Sequence, residues 1–396
     1  MKILYYTDAF WPQIGGIETF SLRLIEGLES SSNAAEKLDV VVVTNTPGPE
    51  HFTDRNRISA RIVRKPNALQ LWKLIGTADR VVLAGAAILP LAFSLARGKR
   101  LIVTHHGYQT VCPNGLLFHL PSRTNCPGYF EKKNYRECVR CSREELSWAK
   151  TWKRLVLTRV RRILTKRAWR NVMPSDHLSS RLQLPNSLII RNGVPQTEPL
   201  DRSIAIREKK MGFAYLGRLV VEKGAHVLIE AARILKNRGQ EFRVLLIGDG
   251  PEKAALLAQA RDANLGEIVE FLGFRTGEEL RGALSEPCVL VMPSVCQDVA
   301  PFAPLEQMMT GRTIIASDIG GLSEEVGETG LKFRPGNAEE LADRMEQAIT
   351  TPELLKELGN MARQRMLDLY TGEKMIGEYR NLLIAERQKT REESRG

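Results

Sequence analysis

The sequence has no long apolar run. None of its hydrophobic stretches approaches the roughly 20 residues that a membrane-spanning helix needs, although hydrophobic residues make up 43% of its 396 positions. It has no GxGxxG fingerprint, which argues against a dinucleotide cofactor. It shows no internal repeat of about 20–50 residues, which sets aside solenoids and propellers. The stretch Met1-Lys2-Ile3-Leu4-Tyr5-Tyr6-Thr7-Asp8 lacks the features of a signal peptide: its apolar part is short, it meets Asp8, and no small-residue cleavage site follows. It reads as a first buried strand. The expectation is a cytoplasmic chain with reduced cysteines, of which there are only six.

What is present is a chain long enough for two domains. Short apolar runs alternate with helix-like segments throughout. Strands are expected at 2–7, 39–44, 80–83, 99–104 and 187–190, then in a second series at 212–216, 242–247, 268–272, 288–292, 313–316 and 331–333. Many are β-branched and apolar throughout, as strands covered on both faces should be. Helical patterns between them, such as 17–29, 225–238 and 252–263, imply parallel sheets with right-handed crossovers. The series restarts after Arg191-Asn192-Gly193-Val194-Pro195, and the polar stretch 196–210 reads as a linker. Residues 1–195 and 196–370 are therefore expected to be two Rossmann-like domains. A final helical segment at 371–388 ends in a polar tail, 389–396, and is expected to pack back towards the N-terminal domain.

Two regions break this rhythm. The segment 107–146 is rich in Cys, Pro, Gly and Asn and reads as a loop-rich insertion. It holds Cys112, Cys126, Cys138 and Cys141, ending in a C-x-x-C spacing. Four such residues suggest a structural zinc site; an iron–sulfur cluster, disulfides or unbound thiols are the alternatives. Cys288 and Cys296 stand apart, the former a core candidate. The second region, 150–170, carries nine of the cations behind the net charge of +11 and no acidic residue. Trp152, Leu155, Val156, Val160, Ile163, Leu164 and Trp169 recur there near helical spacing. A basic amphipathic helix with tryptophans suits an anionic membrane surface; the alternative is packing on its own domain. Nucleic acid is disfavoured because no nucleic-acid module accompanies the charge.

Four motifs carry chemistry. Gly15-Gly16 follows the first strand and opens a helix, where backbone can approach an anionic ligand; a tight turn is the plainer reading. Gly217-Arg218-Leu219-Val220-Val221-Glu222-Lys223-Gly224 places two cations at a strand C-terminus. The alternative is a solvated pair at a helix start, but cations there oppose the helix dipole, so their presence is easier to understand if a diphosphate binds. Asp298 and Glu306 are eight residues apart, spanning a loop and a helix start, and as carboxylates could accept hydrogen bonds from sugar hydroxyls. Gly320-Gly321-Leu322-Ser323-Glu324 is a second Gly-Gly turn.

Taken in order, these segments resemble glycosyltransferase family 4, most closely over 212–335. Gly248-Asp249-Gly250-Pro251 and Asn192-Gly193-Val194 are similar as well. The resemblance implies an α/β fold of the GT-B type, two doubly wound parallel-sheet domains facing across a cleft. It implies that Arg218 and Lys223 hold the diphosphate of a nucleotide sugar, that Glu306 binds its ribose, and that Asp298 holds sugar hydroxyls with help from backbone N–H groups near Ala300 and Phe302. Gly16 would lie beside the phosphates. His106 matches a family histidine that points at the donor sugar, with His105 as the neighbouring candidate. Two departures stand out: Asp298 replaces the usual Glu, and the usual Phe-Gly reads Phe302-Ala303.

The reaction implied is transfer of a hexose from a UDP- or GDP-sugar with retention, to a glycan or lipid-linked acceptor in cell-envelope or exopolysaccharide synthesis. The acceptor hydroxyl attacks from the leaving-group face, and catalysis is positioning plus stabilisation of the leaving diphosphate by Arg218 and Lys223. Such a mechanism calls for no catalytic metal. The enzyme would be cytoplasmic, or peripheral on the inner face of the plasma membrane. The competing readings are a nucleotide-sugar epimerase of the same fold and a non-catalytic sugar- or membrane-binding relative.

Overall fold

A computed structural model describes residues 1–30, 38–48, 58–199, 211–285 and 288–384. The side chain of Cys288, most of the expected linker and the tail 389–396 lie outside the described residues. The chain divides into two compact units. The first comprises Met1–Leu117, Pro127–Gly193 and the segment from Thr371; the second comprises Phe118–Cys126 and Val194–Tyr370. The segment 107–146 is thus not one piece of the first unit, because its middle groups with the second.

In chain order the strands run β1 (Lys2–Thr7), β2 (Asp39–Thr44), β3 (Arg61–Arg64), β4 (Arg80–Ala84) and β5 (Arg100–Thr104). A small antiparallel ribbon follows, β6 (Phe118–His119) with β7 (Thr124–Asn125), and then β8 (Arg170–Met173) and β9 (Ser187–Ile189). The first unit's sheet has the order β3-β2-β1-β4-β5-β8-β9, with every pairing parallel. Its strands bury Leu4, Val43, Val81, Leu83, Leu101 and Val103, as a sheet covered on both faces requires. Two of these strands are hard to see in the sequence. β3 is four residues with Arg at each end, and β8 carries a buried Asn171 and follows directly on the basic stretch.

The second unit contains β10 (Met211–Leu216), β11 (Phe242–Ile247), β12 (Val269–Gly273), β13 (Cys288–Met292), β14 (Ile314–Ser317) and β15 (Leu331–Phe333). Their order is β12-β11-β10-β13-β14-β15, again parallel. In each sheet the strand order reverses once, between β1 and β4 and between β10 and β13. Such switch points leave a crevice outside the strand C-termini, where open α/β sheets bind ligands.

The helix Gly372–Ile384 packs on Gly16–Glu29 within the first unit. Arg380 donates to the carbonyl oxygens of Gly27 and Leu28 at 3.2 and 2.6 Å, and Tyr379 meets Phe20 edge-on. The expected loop region also holds a helix, Tyr135–Arg143. Among the described residues no helix is long and apolar enough to cross a membrane.

Candidate functional site

In the second unit the sequence motifs gather at the switch point. β10 ends at Leu216, and Arg218 follows within two residues. The buried Tyr215 hydroxyl donates to the Arg218 carbonyl oxygen at 2.6 Å, fixing that backbone while the guanidinium stays exposed. Leu219 N–H donates to the Asp249 carbonyl oxygen at 2.9 Å, tying the loop after β10 to the Gly248–Gly250 turn after β11. A 3₁₀ turn, Val221–Lys223, then leads to Gly224 at φ +70, from which the helix Ala225–Asn237 starts. A Cβ at Gly224 would sit 1.9 Å from the Pro293 carbonyl oxygen, so only glycine allows this approach. Val295 N–H donates to the Glu222 carbonyl oxygen at 3.0 Å, completing the stitch between the loops after β10 and β13.

That stitch brings Lys223 onto Asp298. Lys223 Nζ lies 2.5 Å from Asp298 Oδ1, and Ser294 Oγ donates to the other carboxylate oxygen at 2.5 Å. The two side chains are 21% and 11% exposed, so the pair is largely withdrawn from solvent. Burial works to lower the pKa of the Lys223 ammonium, but the Asp298 carboxylate and Cys296 together work against it and the net shift is upward. Burial and the same carboxylate push the Tyr215 phenol and the Cys296 thiol up. Asp298, expected to face a sugar, is therefore held by Lys223 and Ser294 in this structure.

Gly320-Gly321 explains itself geometrically. Gly321 N–H donates to the Asp298 carbonyl oxygen at 2.6 Å, and a Cβ there would lie 1.8 Å from the Val299 carbonyl oxygen. The pair lets the helix Gly320–Val326 press on the Asp298 loop. Ala300 is half-buried in that loop, and Phe302 begins the helix Phe302–Met309, whose second turn carries a half-buried Glu306. Its positive dipole end lies at the same strand C-termini. Sequence reasoning missed Ser294 and Tyr215, whose roles depend on pairing across loops. It also left Glu325 without a role.

In the first unit, Gly15 caps the helix Gly16–Glu29, and a Cβ at Gly16 would meet nothing within 4 Å, so open space lies in front of it. β5 ends in Thr104, followed by the two histidines. His105 is buried and its Nε2 lies 3.0 Å from Asn171 Oδ1. The Asn171 amide nitrogen donates to the carbonyl oxygens of Thr165 and Pro185, so its Oδ1 accepts and His105 donates. Burial pushes the His105 pKa down to about 4. His106 is half-buried, with Nε2 2.9 Å from Thr104 Oγ1 and its ring 4.5 Å from that of Phe20. Of the two, His105 is the more deeply buried and is bonded to Asn171, while His106 is half-buried against Thr104 and Phe20.

As placed, the cysteines do not fit the expected zinc site. Cys112, Cys126, Cys138 and Cys141 are all buried. Among the described residues, however, no group of three or more His, Cys, Asp or Glu side chains is placed to hold a metal ion. Cys112 Sγ donates to Asn114 Oδ1 at 2.9 Å, and the amide of Asn114 donates to Cys141 Sγ at 3.4 Å. Cys138 packs with Phe130 and Leu155. The insertion is held by a small apolar cluster and an asparagine bridge.

The basic helix is Trp148–Thr165, and its apolar residues divide between two faces. Leu155 is buried, and so are Thr151, Thr158 and Thr165. Thr158 and Thr165 donate to the carbonyl oxygens of Arg154 and Arg161 one turn back, which satisfies their hydroxyls. Trp148, Trp152, Val156 and Ile163 point outward; the two tryptophans are 58% and 55% exposed. Arg161 turns inward to the carbonyl oxygens of Ala86 and Gln109.

The fold is α/β of the GT-B type, built from two Rossmann-like parallel-sheet units. HepE of Anabaena, solved with UDP, is similar over 97% of this chain and all of that one, with a TM-score of 0.71 and 17% identity. In sequence, residues 196–365 match the family profile described as "Glycosyl transferases group 1". The 2-deoxystreptamine glucosyltransferase of Streptomyces kanamyceticus is 32% identical over 140 residues, 35% of this chain and 36% of that protein. The amylovoran biosynthesis glycosyltransferase AmsK of Erwinia amylovora is 33% identical over 134 residues, 32% of this chain and 33% of that protein. These matches thus span about a third of the relatives' own length.

Proposed function

We propose that the chain is a retaining glycosyltransferase of family 4 that moves a hexosyl group from a UDP- or GDP-sugar to a glycan or lipid-linked acceptor in cell-envelope or exopolysaccharide synthesis. The observation that carries the reading is the placement of Arg218 and Lys223 at the C-terminal end of β10, where the strand order reverses. Two cations at such a crevice suit a diphosphate. Arg218 is exposed and can present its planar fork to phosphate oxygens, and Lys223 supplies a point charge. As the bond to the sugar breaks, negative charge grows on the departing nucleotide, and fixed cations stabilise that state more than the ground state. Glu306 would take the ribose, and Asp298 would hold sugar hydroxyls with N–H groups near Ala300 and Phe302. The resemblance gives donor-side roles to Gly16 and His106, and Gly15 belongs to the same Gly-Gly turn. The relatives named as glycosyltransferases favour this reading over an epimerase.

The outward apolar side chains of the helix Trp148–Thr165, among Lys153, Arg159 and Lys166, favour an anionic membrane surface as a partner. That would place a cytoplasmic enzyme next to a lipid-linked acceptor.

The test is incubation with UDP- and GDP-hexoses, with and without polyprenyl-linked or oligosaccharide acceptors. Nucleotide release that depends on acceptor, with a product keeping the donor's anomeric configuration by NMR, supports the reading. An epimerised donor without acceptor, or no donor binding at all, would replace it with one of its rivals.

A further inference from the structure

The helix Gly320–Val326 carries a side chain that the reading above leaves idle. Glu325 is 1% exposed, and neither of its carboxyl oxygens has a hydrogen-bond partner. It lies four residues beyond Gly321, on the same helical face. That is the face applied to the Asp298 loop, through the Gly321 N–H bond to the Asp298 carbonyl oxygen and the contact with Val299. The Glu325 side chain therefore leaves the helix on the side applied to the Asp298 loop.

The charged groups that act on it come from four elements. They are Asp298 on the loop after β13, Glu324 on its own helix, Lys223 on the 3₁₀ turn and Arg365 on the helix Pro352–Leu369. Arg365 directs its guanidinium to the carbonyl oxygens of Glu324 and Glu325, both at 2.9 Å, and so caps the helix rather than pairing with the carboxyl. Burial holds the Glu325 pKa well above the carboxylate range, Asp298 and then Glu324 add to this, and the two cations do not reverse it. A buried acid with no hydrogen-bond partner is cheaper to keep protonated than ionised.

We propose that Glu325 is a positioning residue for Lys223: as the neutral acid it leaves the ammonium able to turn from Asp298 to an anionic ligand, and loss of its proton adds a second negative charge that holds Lys223 back. The inference rests on the reading of Lys223 as a diphosphate ligand. It goes further in making that ligand's affinity depend on the protonation of a residue that does not touch it. Lys223, Tyr215 and Cys296 are all shifted upward, so each of them keeps its proton as the pH first rises above neutral.

The experiment measures binding of UDP and GDP by titration calorimetry from about pH 7 to pH 10, with melting temperature as the folding control. The chains compared are unmodified, Glu325→Gln and Lys223→Ala. Glu325→Gln keeps the shape and cannot ionise. The expected result is affinity in the unmodified chain that weakens about tenfold on an alkaline limb, and a Glu325→Gln chain that matches it near pH 7 and lacks that limb. An identical limb in both chains, or a folded Glu325→Gln chain that binds far more weakly near pH 7, overturns the inference. If Lys223→Ala still abolishes binding in either case, the diphosphate reading survives alone. No binding by the unmodified chain at any pH removes both.

Discussion

Lys223 and Asp298 are tied to each other from the ends of two neighbouring strands, Nζ to Oδ1 at 2.5 Å. Two residues that the proposed reading gives to the donor are, in this structure, each other's partners. On that reading a diphosphate would compete with Asp298 for Lys223.

Breaking the pair should cost stability. Lys223→Ala leaves Asp298 with its Ser294 bond but without its cation, and a loss of roughly 1–3 kcal/mol is expected. Urea unfolding of Lys223→Ala, Asp298→Ala and the double variant measures it. The double variant should lose less than the sum of the single ones; strict additivity would mean the two side chains are not coupled in solution.

Arg218 should behave in the opposite way. Its side chain is exposed, so Arg218→Ala should leave the melting temperature nearly unchanged. Losing charge-assisted bonds to phosphate should weaken nucleotide-sugar binding by roughly 10- to 150-fold. Calorimetry with UDP and GDP sugars separates the two effects, and full affinity in the variant would remove Arg218 from the site.

His105 predicts acid sensitivity. Burial holds its pKa near 4, below the unfolded value of about 6.5. A depressed folded pKa means that its contribution is complete above about pH 6.5 and is lost as the pH falls through the folded value. Stability should drop by about 1.4 kcal/mol per pH unit across that window from this residue alone. Denaturant midpoints between about pH 7 and pH 4 should show the slope, and His105→Gln should reduce it by roughly one proton. An unchanged slope would mean that His105 titrates normally in the fold.

Trp148 and Trp152 can be tested without touching the core. Trp148→Ser with Trp152→Ser should leave stability within about 0.5 kcal/mol, because both side chains are exposed. Sedimentation with vesicles containing phosphatidylglycerol should fall several-fold, and the remaining binding should weaken with salt. Equal sedimentation of the two chains would argue against this face as the lipid contact.

Much of the fold is legible in the sequence because parallel strands covered on both faces leave apolar runs. Val40–Val43 in β2 and Val244–Ile247 in β11 are apolar throughout and easily seen. β3 and β8 are not legible, because Arg61, Arg64 and Arg170 interrupt the apolar pattern and Asn171 hides a core position. Within the site, Arg218, Lys223 and Asp298 stand out as charges at strand ends. That Lys223 and Asp298 meet cannot be read, since 75 residues separate them and the contact depends on the close approach of Gly224 to Pro293. Among the described residues the cysteine spacing is not matched by a ligand set, for a related reason. Spacing along a chain does not fix where thiols point, and Asn114 bridges two of them. In the helix Trp148–Thr165 the apolar pattern leaves the facing open, because threonines whose hydroxyls bond their own helix occupy buried positions without a hydrophobic signal.

The close fit of Gly321 under Val299 restricts how this loop can be re-engineered. No side chain can be inserted from below, so any enlargement at position 321 must lift the segment that carries Asp298. The glycine pair beneath the loop therefore has to be left alone, because a Cβ at either position meets the backbone of Asp298 or Val299.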